Sequence, residues 1–355
     1  MAVLTEEQTM LRDMAHEWAD NESPVTAFRK MRNGAPASFY DPEAWTAQAG
    51  MGWAGILVPE EQGGVGMGYL SLGLVLEQLG RNLAATPLAA TATATAAILI
   101  GGSDAQKAAW LPRIASGEVV ATLAIDEGPR FGGAIAAAVT GGKLSGTKQF
   151  VAEGDSAQLF IVAATDGLYL VEGDAGVTRA PRKLADSRSH AQVVFDNAPA
   201  DRLEGGEDLL TQVTDRAAIG TAAEMLGMAE AAFAQTNDYL KTRVQFGQVL
   251  ASFQALQHRM AKMFTELELM RSAVEAGLEA ADSGRANISQ EASLAKAVAN
   301  ETLHLVSREM IQLHGGIGMT DEHDAGFYLK RARVLEQMWG NAAWHRDRFA
   351  RLNGY

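Results

Sequence analysis

The chain has 355 residues, 47% of them hydrophobic, with a formal net charge of −13 and a pI near 5.0. That size supports two or three packed domains, and the acidic balance argues against nucleic acid or an anionic membrane as partner, so an anionic ligand has to be gripped by local arginines and lysines. The absence of cysteine excludes disulfides, thiol catalysis and Cys-ligated metals.

The opening, MAVLTEEQTMLRDM, has no basic stretch followed by an apolar core and does not read as a signal peptide. Thr5 and Gln8 are spaced as a capping box, ahead of Met10, Leu11, Met14 and Trp18 at helical intervals. A second helix is expected over Pro42–Gly50. Val58–Gly68 is rich in turn residues. Its glycines imitate a phosphate loop, but no strand precedes them, and the segment reads as a connection between helices. The next helix is expected to run through Leu79 and stop at Gly80. Ala84–Ile100 comes nearest to a membrane span, yet Pro87, Thr86, Thr91, Thr93 and Thr95 interrupt it and it is short for a bilayer. It reads as a buried Ala/Thr helix, and the protein as soluble and cytoplasmic.

From Val119 the period becomes strand-like. Val119–Ile125, Lys143–Val151, Leu159–Ala164, Leu168–Val171 and Gln192–Phe195 are β-rich runs separated by glycine turns. From Asp208 the chain is helical again, with breaks at Gly247, Asp282–Asn287 and Gly315–Gly318, leaving room for four long helices. The expected fold is therefore α+β and multidomain: an N-terminal helical domain (1–117), a small antiparallel β-barrel or sandwich (118–205) and a C-terminal four-helix bundle (206–355).

Two motifs in the bundle are specific: Arg243–Gln254, reading RVQFGQVLASFQ, and Gln312–Gly318, reading QLHGGIG. Arg243 offers a planar fork of donors to a diphosphate. Phe246, read as one helical turn further on, would share its face and offer a ring to a bound ligand, with Gly247 ending the helix. Gln312 can donate and accept, and the neighbouring glycines bare the backbone amides. With the helix–strand–helix order over almost the whole chain, these motifs resemble the acyl-CoA dehydrogenase family. The resemblance implies an FAD cofactor and an acyl-CoA substrate, with Arg243, Gln245, Phe246, Phe253, Gln254, Gln312, Leu313, Gly315 and Gly316 contacting the FAD of a neighbouring subunit. Pro59–Gly64 and Gly146–Val151 resemble further family segments, and His314–Asp324 is similar to short members that form one half of a two-chain enzyme.

That reaction needs a carboxylate to take the α-proton while flavin accepts the β-hydride. Where the family carries its glutamate near the C-terminus this chain has Trp339, and the second family position maps to about Ala217. Neither is a base. Asp215 and Glu336 are nearby acids, each expected to be an exposed helical residue, and Trp339 is expected to fill the pocket. On the flavin platform the family's aromatic survives as Phe150, but its hydroxyl is replaced by Ala152. The upstream loop carries Asp126 and Glu127, electrostatically unhelpful to an anionic cofactor. Parts lent to a neighbour are thus intact while the chain's own are degraded, which suits division of labour between unlike subunits.

The seven histidines contain no HxxxH pair, and Asp321–Asp324 reads as a capping turn rather than a metal site. Arg179, Arg182, Lys183 and Arg188 could meet a CoA phosphate or form an exposed basic loop. Ser187–His190 is no nucleophile elbow. The leading expectation is a non-catalytic subunit of a heterotetrameric acyl-CoA dehydrogenase, with bulky sterol-type substrates by analogy. The alternatives are a self-sufficient homomer with an atypical base and a non-catalytic acyl-CoA or flavin binding protein.

Overall fold

The computed structural model describes residues 4–34, 39–206 and 208–355. The chain divides into two compact units: one gathers the N-terminal stretch to Phe28 with Gly73–Ala84 and Ala218–Tyr355, the other Arg29–Leu72 with Ala85–Ala217. Its helices are α1 (Glu6–Glu22), α2 (Val25–Asn33), α3 (Pro42–Gly50), α4 (Gly68–Arg81), α5 (Leu88–Gly101), α6 (Asp104–Ala115), α7 (Leu209–Thr242), α8 (Gln254–Ser283), α9 (Ile288–His314), α10 (Ala325–Leu335) and α11 (Ala342–Leu352).

The first helices follow their local chemistry. The Thr5 hydroxyl accepts from the Gln8 amide at 3.1 Å and the Gln8 side chain accepts from the Thr5 amide at 3.0 Å, closing the expected capping box. Ser103 and Gln106 close a second one at α6. The Ala/Thr segment forms α5, largely buried, with the Thr93 and Thr95 hydroxyls donating to the carbonyls of Ala89 and Thr91. That back-bonding satisfies the Thr93 and Thr95 hydroxyls inside the helix, whereas the buried Thr91 hydroxyl has no partner. Among the described residues no helix is long and apolar enough to cross a membrane. Val58–Gly68 is a connection containing a short 3₁₀ turn at Glu60–Gln62. Gly80, expected as a stop, lies inside α4. It is there for packing, since a Cβ would collide with the Glu224 carbonyl of α7.

The antiparallel barrel is not what forms. Eight short strands make two separate four-stranded sheets. In the first, β1 (Ala121–Ala124), β4 (Leu159–Ala164), β5 (Gly167–Glu172) and β8 (Asp201–Arg202) lie in the order β1-β4-β5-β8, with β1 and β4 parallel. In the second, β2 (Ala138–Thr140), β3 (Lys143–Ala152), β7 (His190–Pro199) and β6 (Val177–Pro181) lie in the order β2-β3-β7-β6, all antiparallel. The parallel pair arises because residues 125–158 leave the first sheet, build β2 and β3 in the second, and return. Each sheet keeps two edges, so neither closes. Phe160 of β4 meets Phe195 of β7 edge to face at 5.7 Å, where the two sheets pack.

The helical end also differs from four long helices. It has three, of 34, 30 and 27 residues, followed by α10 and α11 of 11 each. A Cβ at Gly277 of α8 would stand 3.3 Å from Ile219 of α7 and 3.4 Å from Ala295 of α9, so all three long helices meet there. Two partly buried ion-pair groups tie the unit: Glu224 of α7 with Arg331 of α10, and Glu230 of α7 with Arg81 of α4 and Arg271 of α8.

Candidate functional site

Helix α7 stops at Thr242, five residues before Gly247. Arg243 therefore begins a small antiparallel hairpin, β9 (Val244–Gln245) and β10 (Gln248–Val249), in which Gln245 faces Gln248. Phe246 and Gly247 are its two turn residues, with φ of 54° and 82°, the type I′ signature that matches strand twist. The expected shared helical face for Arg243 and Phe246 is thus replaced by a turn. Phe246 is 89% exposed and meets Phe253 edge to face, centroid to centroid 6.2 Å. Among the described residues no side chain bonds to the exposed Arg243 guanidinium, while the Arg243 amide donates to the Tyr239 carbonyl at 2.9 Å. Gln245 and Gln254 are exposed too, the latter as the first residue of α8.

The second motif sits at the end of α9. Gln312 is exposed, whereas the Leu313 side chain is buried, leaving only its backbone for a ligand. Gly315 terminates the helix at φ 64°, and a Cβ on Gly315 or Gly316 would meet open space. Close approach of a ligand to bare amides is therefore open at both positions. His314 is buried, its ring 4.4 Å from that of Tyr239 and 4.3 Å from that of His323. Burial pulls the His314 imidazole below its ordinary value, partly offset by its bond to the Met310 carbonyl.

Trp339 lies in the turn between α10 and α11, half-buried, with φ 58°. Buried donors hold this turn. Lys296 Nζ donates to Asn300 Oδ1 at 2.7 Å, to the Leu335 carbonyl at 2.9 Å and to the Gly340 carbonyl at 3.3 Å. His345 Nε2 donates to the Trp339 carbonyl at 2.9 Å. Burial lowers Lys296 to about 7, and burial with the adjacent Lys296 lowers His345 to about 3. Glu336, expected to be exposed, is 8% exposed and paired with Arg333 at 2.9 Å, with His304 at 3.4 Å. Asp215, also expected on the surface, is 1% exposed on α7, two residues before the buried Ala217. Glu336 can be buried because its charge is paired, with Arg333 one turn away and with His304 of α9.

In the sheet unit, Phe150 sits at φ 52° in a bulge of β3 and is 42% exposed; Ala152 ends the strand. The neighbouring acids behave differently from the electrostatic expectation. Glu127 accepts from the fully buried Lys148 at 2.6 Å and from the Ala136 and Ala137 amides at 2.9 Å. Burial opposes its ionisation, but Lys148 and the two amides outweigh that and hold it below the usual carboxylate value. Glu127 is therefore a neutralised clamp. Asp126 is raised to about 6 by burial, against the pull of Lys148. The four basic residues do not form one patch. Arg179 donates to the Ala157 and Gly173 carbonyls, Arg188 is buried, Arg182 binds Gln192 and Lys183 is exposed. Among the described residues no group of three His, Asp or Glu is placed to hold a metal.

Sequence reasoning passed over Tyr239, Lys296 and the pairing of His314 with His323. Only the nine-residue spacing of the two histidines around the glycine motif hints at a shared role.

Residues 5–118 match the acyl-CoA dehydrogenase N-terminal domain and residues 204–352 the acyl-CoA dehydrogenase C-terminal domain. The chain is 32% identical over 339 residues to the acyl-CoA dehydrogenase IpdE2 of Mycolicibacterium smegmatis, covering 95% of this chain and 96% of that one. Its backbone matches a variant of the Tcur3481-Tcur3483 steroid ACAD with a TM-score of 0.90, 31% identity and 98% of each chain covered. It matches the ChsE4-ChsE5 complex from Mycobacterium tuberculosis with a TM-score of 0.92, 26% identity and 100% of each chain covered. On these matches the chain belongs to the acyl-CoA dehydrogenase family, whose members are FAD-dependent oxidoreductases.

Proposed function

We propose that this chain is the non-catalytic subunit of a heterotetrameric acyl-CoA dehydrogenase and completes the FAD site of an unlike, catalytic chain. The observation that carries the reading is the hairpin: an 89% exposed Phe246 beside an Arg243 guanidinium that bonds no side chain among the described residues. An exposed aromatic and an unused fork of donors are what a surface presents to a ligand held elsewhere. These groups fit the adenosine and diphosphate half of FAD, with Arg243 facing the diphosphate, Phe246 and Phe253 offering ring faces, and Gln245, Gln254, Gln312 and the amides of Leu313, Gly315 and Gly316 supplying polar contacts. Bound FAD would supply the hydride acceptor for α,β-dehydrogenation of an acyl-CoA thioester. This chain would orient it and exclude water. The α-proton would go to the partner's carboxylate, since Trp339 and Ala217 cannot take it.

Two of the similar structures support the partner: the ChsE4-ChsE5 complex and the Tcur3481-Tcur3483 steroid ACAD, each named for a pair of proteins. By analogy we assign bulky, sterol-derived acyl-CoA substrates and a cytoplasmic location. One observation favours a self-sufficient homomer instead: the buried carboxylate of Asp215 on α7. Flavin absorbance against total protein separates the two. The chain purified alone is expected to be poor in flavin and inactive, and the complex to carry one FAD per pair of unlike chains. One FAD per chain, or robust turnover by this chain alone, overturns the proposal in favour of the homomer.

A further inference from the structure

Resting on the reading that the Arg243 and Gln312 segments receive FAD, we infer that Tyr239, His314 and His323 form a positioning stack that locks those two segments into one geometry. The segments are about seventy residues apart in the chain, and each hangs on a member of the stack. Tyr239 lies in the last turn of α7, and its carbonyl accepts the Arg243 amide at 2.9 Å, setting where the hairpin departs. Its hydroxyl donates to the His314 carbonyl at 3.3 Å, directly before Gly315. Its ring lies 4.4 Å from the His314 ring, tilted by 30°.

His314 is pinned from two more sides. Its Nδ1 donates to the Met310 carbonyl at 2.8 Å, which fixes the imidazole along α9. Its other neighbour is the His323 ring at 4.3 Å, and His323 Nδ1 accepts the Ala325 amide at 3.1 Å, at the start of α10. The Ala325 bond leaves His323 neutral with its proton on Nε2, and the Met310 bond places a proton on His314 Nδ1, the tautomer in which a neutral His314 stacks on it. Burial, which pulls His314 below the ordinary imidazole value, favours the same state. The ends of α7 and α9 and the start of α10 thus converge on three rings, directly behind the glycines that would meet the cofactor. A glycine turn is soft by itself. The stack is what stiffens it, and it carries the same constraint to the Arg243 hairpin.

The test uses the full-length chain and reads amide hydrogen exchange together with binding of ADP, the half of FAD this site would hold. His323→Ala removes a ring that belongs to neither segment. It is expected to speed exchange about tenfold in both 243–250 and 312–319, and to weaken ADP binding by about fivefold or more, the scale of one aromatic contact. His323→Phe, which restores a flat ring, is expected to recover both, a rescue that a general folding defect would not show. Faster exchange confined to the start of α10, or ADP affinity within about twofold of wild type in His323→Ala, overturns the stack. Arg243→Ala tests the underlying reading separately: ADP binding is expected to vanish with exchange unchanged. ADP bound equally well by Arg243→Ala overturns the cofactor half-site, while the exchange data still decide the stack. If His323→Ala does not fold, Tyr239→Phe, which keeps the ring and deletes the hydroxyl on the His314 carbonyl, is judged by the same two criteria.

Discussion

A lysine with no exposed surface sits under the turn that carries Trp339, and its three acceptors include the carbonyls of Leu335 and Gly340. Burial lowers Lys296 from 10.5 to about 7. Between those values the unfolded chain binds the proton and the folded chain does not, so the Lys296 contribution rises with pH across that window. Below about 7 both states are protonated and its cost is fully present; above about 10.5 the cost is gone. Relative to Lys296→Met, the wild type is therefore expected to gain stability as pH is raised from 7 towards 10, by at most about 5 kcal/mol for the full shift. Denaturant unfolding of both proteins across that range checks it, and parallel curves would show that Lys296 does not titrate there. At this scale the sequence was partly legible. Trp339 was readable as a residue that cannot act as a base, because an indole has no proton-accepting group. Glu336 was not readable as buried, because His304 of α9 reaches it only once α9 and α10 have packed.

The hairpin is the element on which local conformation and function conflict most directly. Phe246 occupies the first turn position at φ 54°, where Asn is the residue of choice and a bulky side chain is strained. Its compensation is small, since the ring is 89% exposed and meets Phe253 only at 6.2 Å. Phe246→Asn is therefore expected to stabilise the isolated chain by about 0.5–1 kcal/mol while reducing flavin retention by the complex. Thermal unfolding and flavin absorbance measure the two effects, and a less stable variant would mean that the Phe253 contact outweighs turn strain. The sequence marked Gly247 as a break but placed the helix end there. The structure ends the helix at Thr242, because two positive φ angles make residues 243–249 a hairpin. Among strands, the five apolar runs appear as β1, β3, β4, β5 and β7, whereas β2, β6 and β8 went unread. All three are sheet edges, and an edge strand can form without an alternating apolar pattern.

Over the whole molecule, the proposed division of labour rests on an asymmetry between the two units. Arg243, Phe246 and the Gly315–Gly316 backbone are open in one, whereas the other has Ala152 in place of the hydroxyl and a loop clamped by Lys148 and Glu127. Trp339→Glu is accordingly expected to leave the chain without dehydrogenase activity, alone or in the complex's second site, because a base without a positioned hydride acceptor does not lower the barrier. Turnover of acyl-CoA thioesters per bound flavin is the measurement, and new activity in this variant would show that the chain holds a working flavin of its own. What the sequence determined by itself is what short-range chemistry encodes: the order of helical and strand-rich segments, the capping box, the buried threonine helix, and the two motifs that pointed to the family. What only the tertiary structure decided is everything set by partners distant along the chain. The parallel β1–β4 pair, the two open sheets, the clamp on Glu127 and the Tyr239–His314–His323 stack are of this kind. Each depends on a hydrogen bond or ring contact whose second half lies on another element, and no periodicity in either half announces the other.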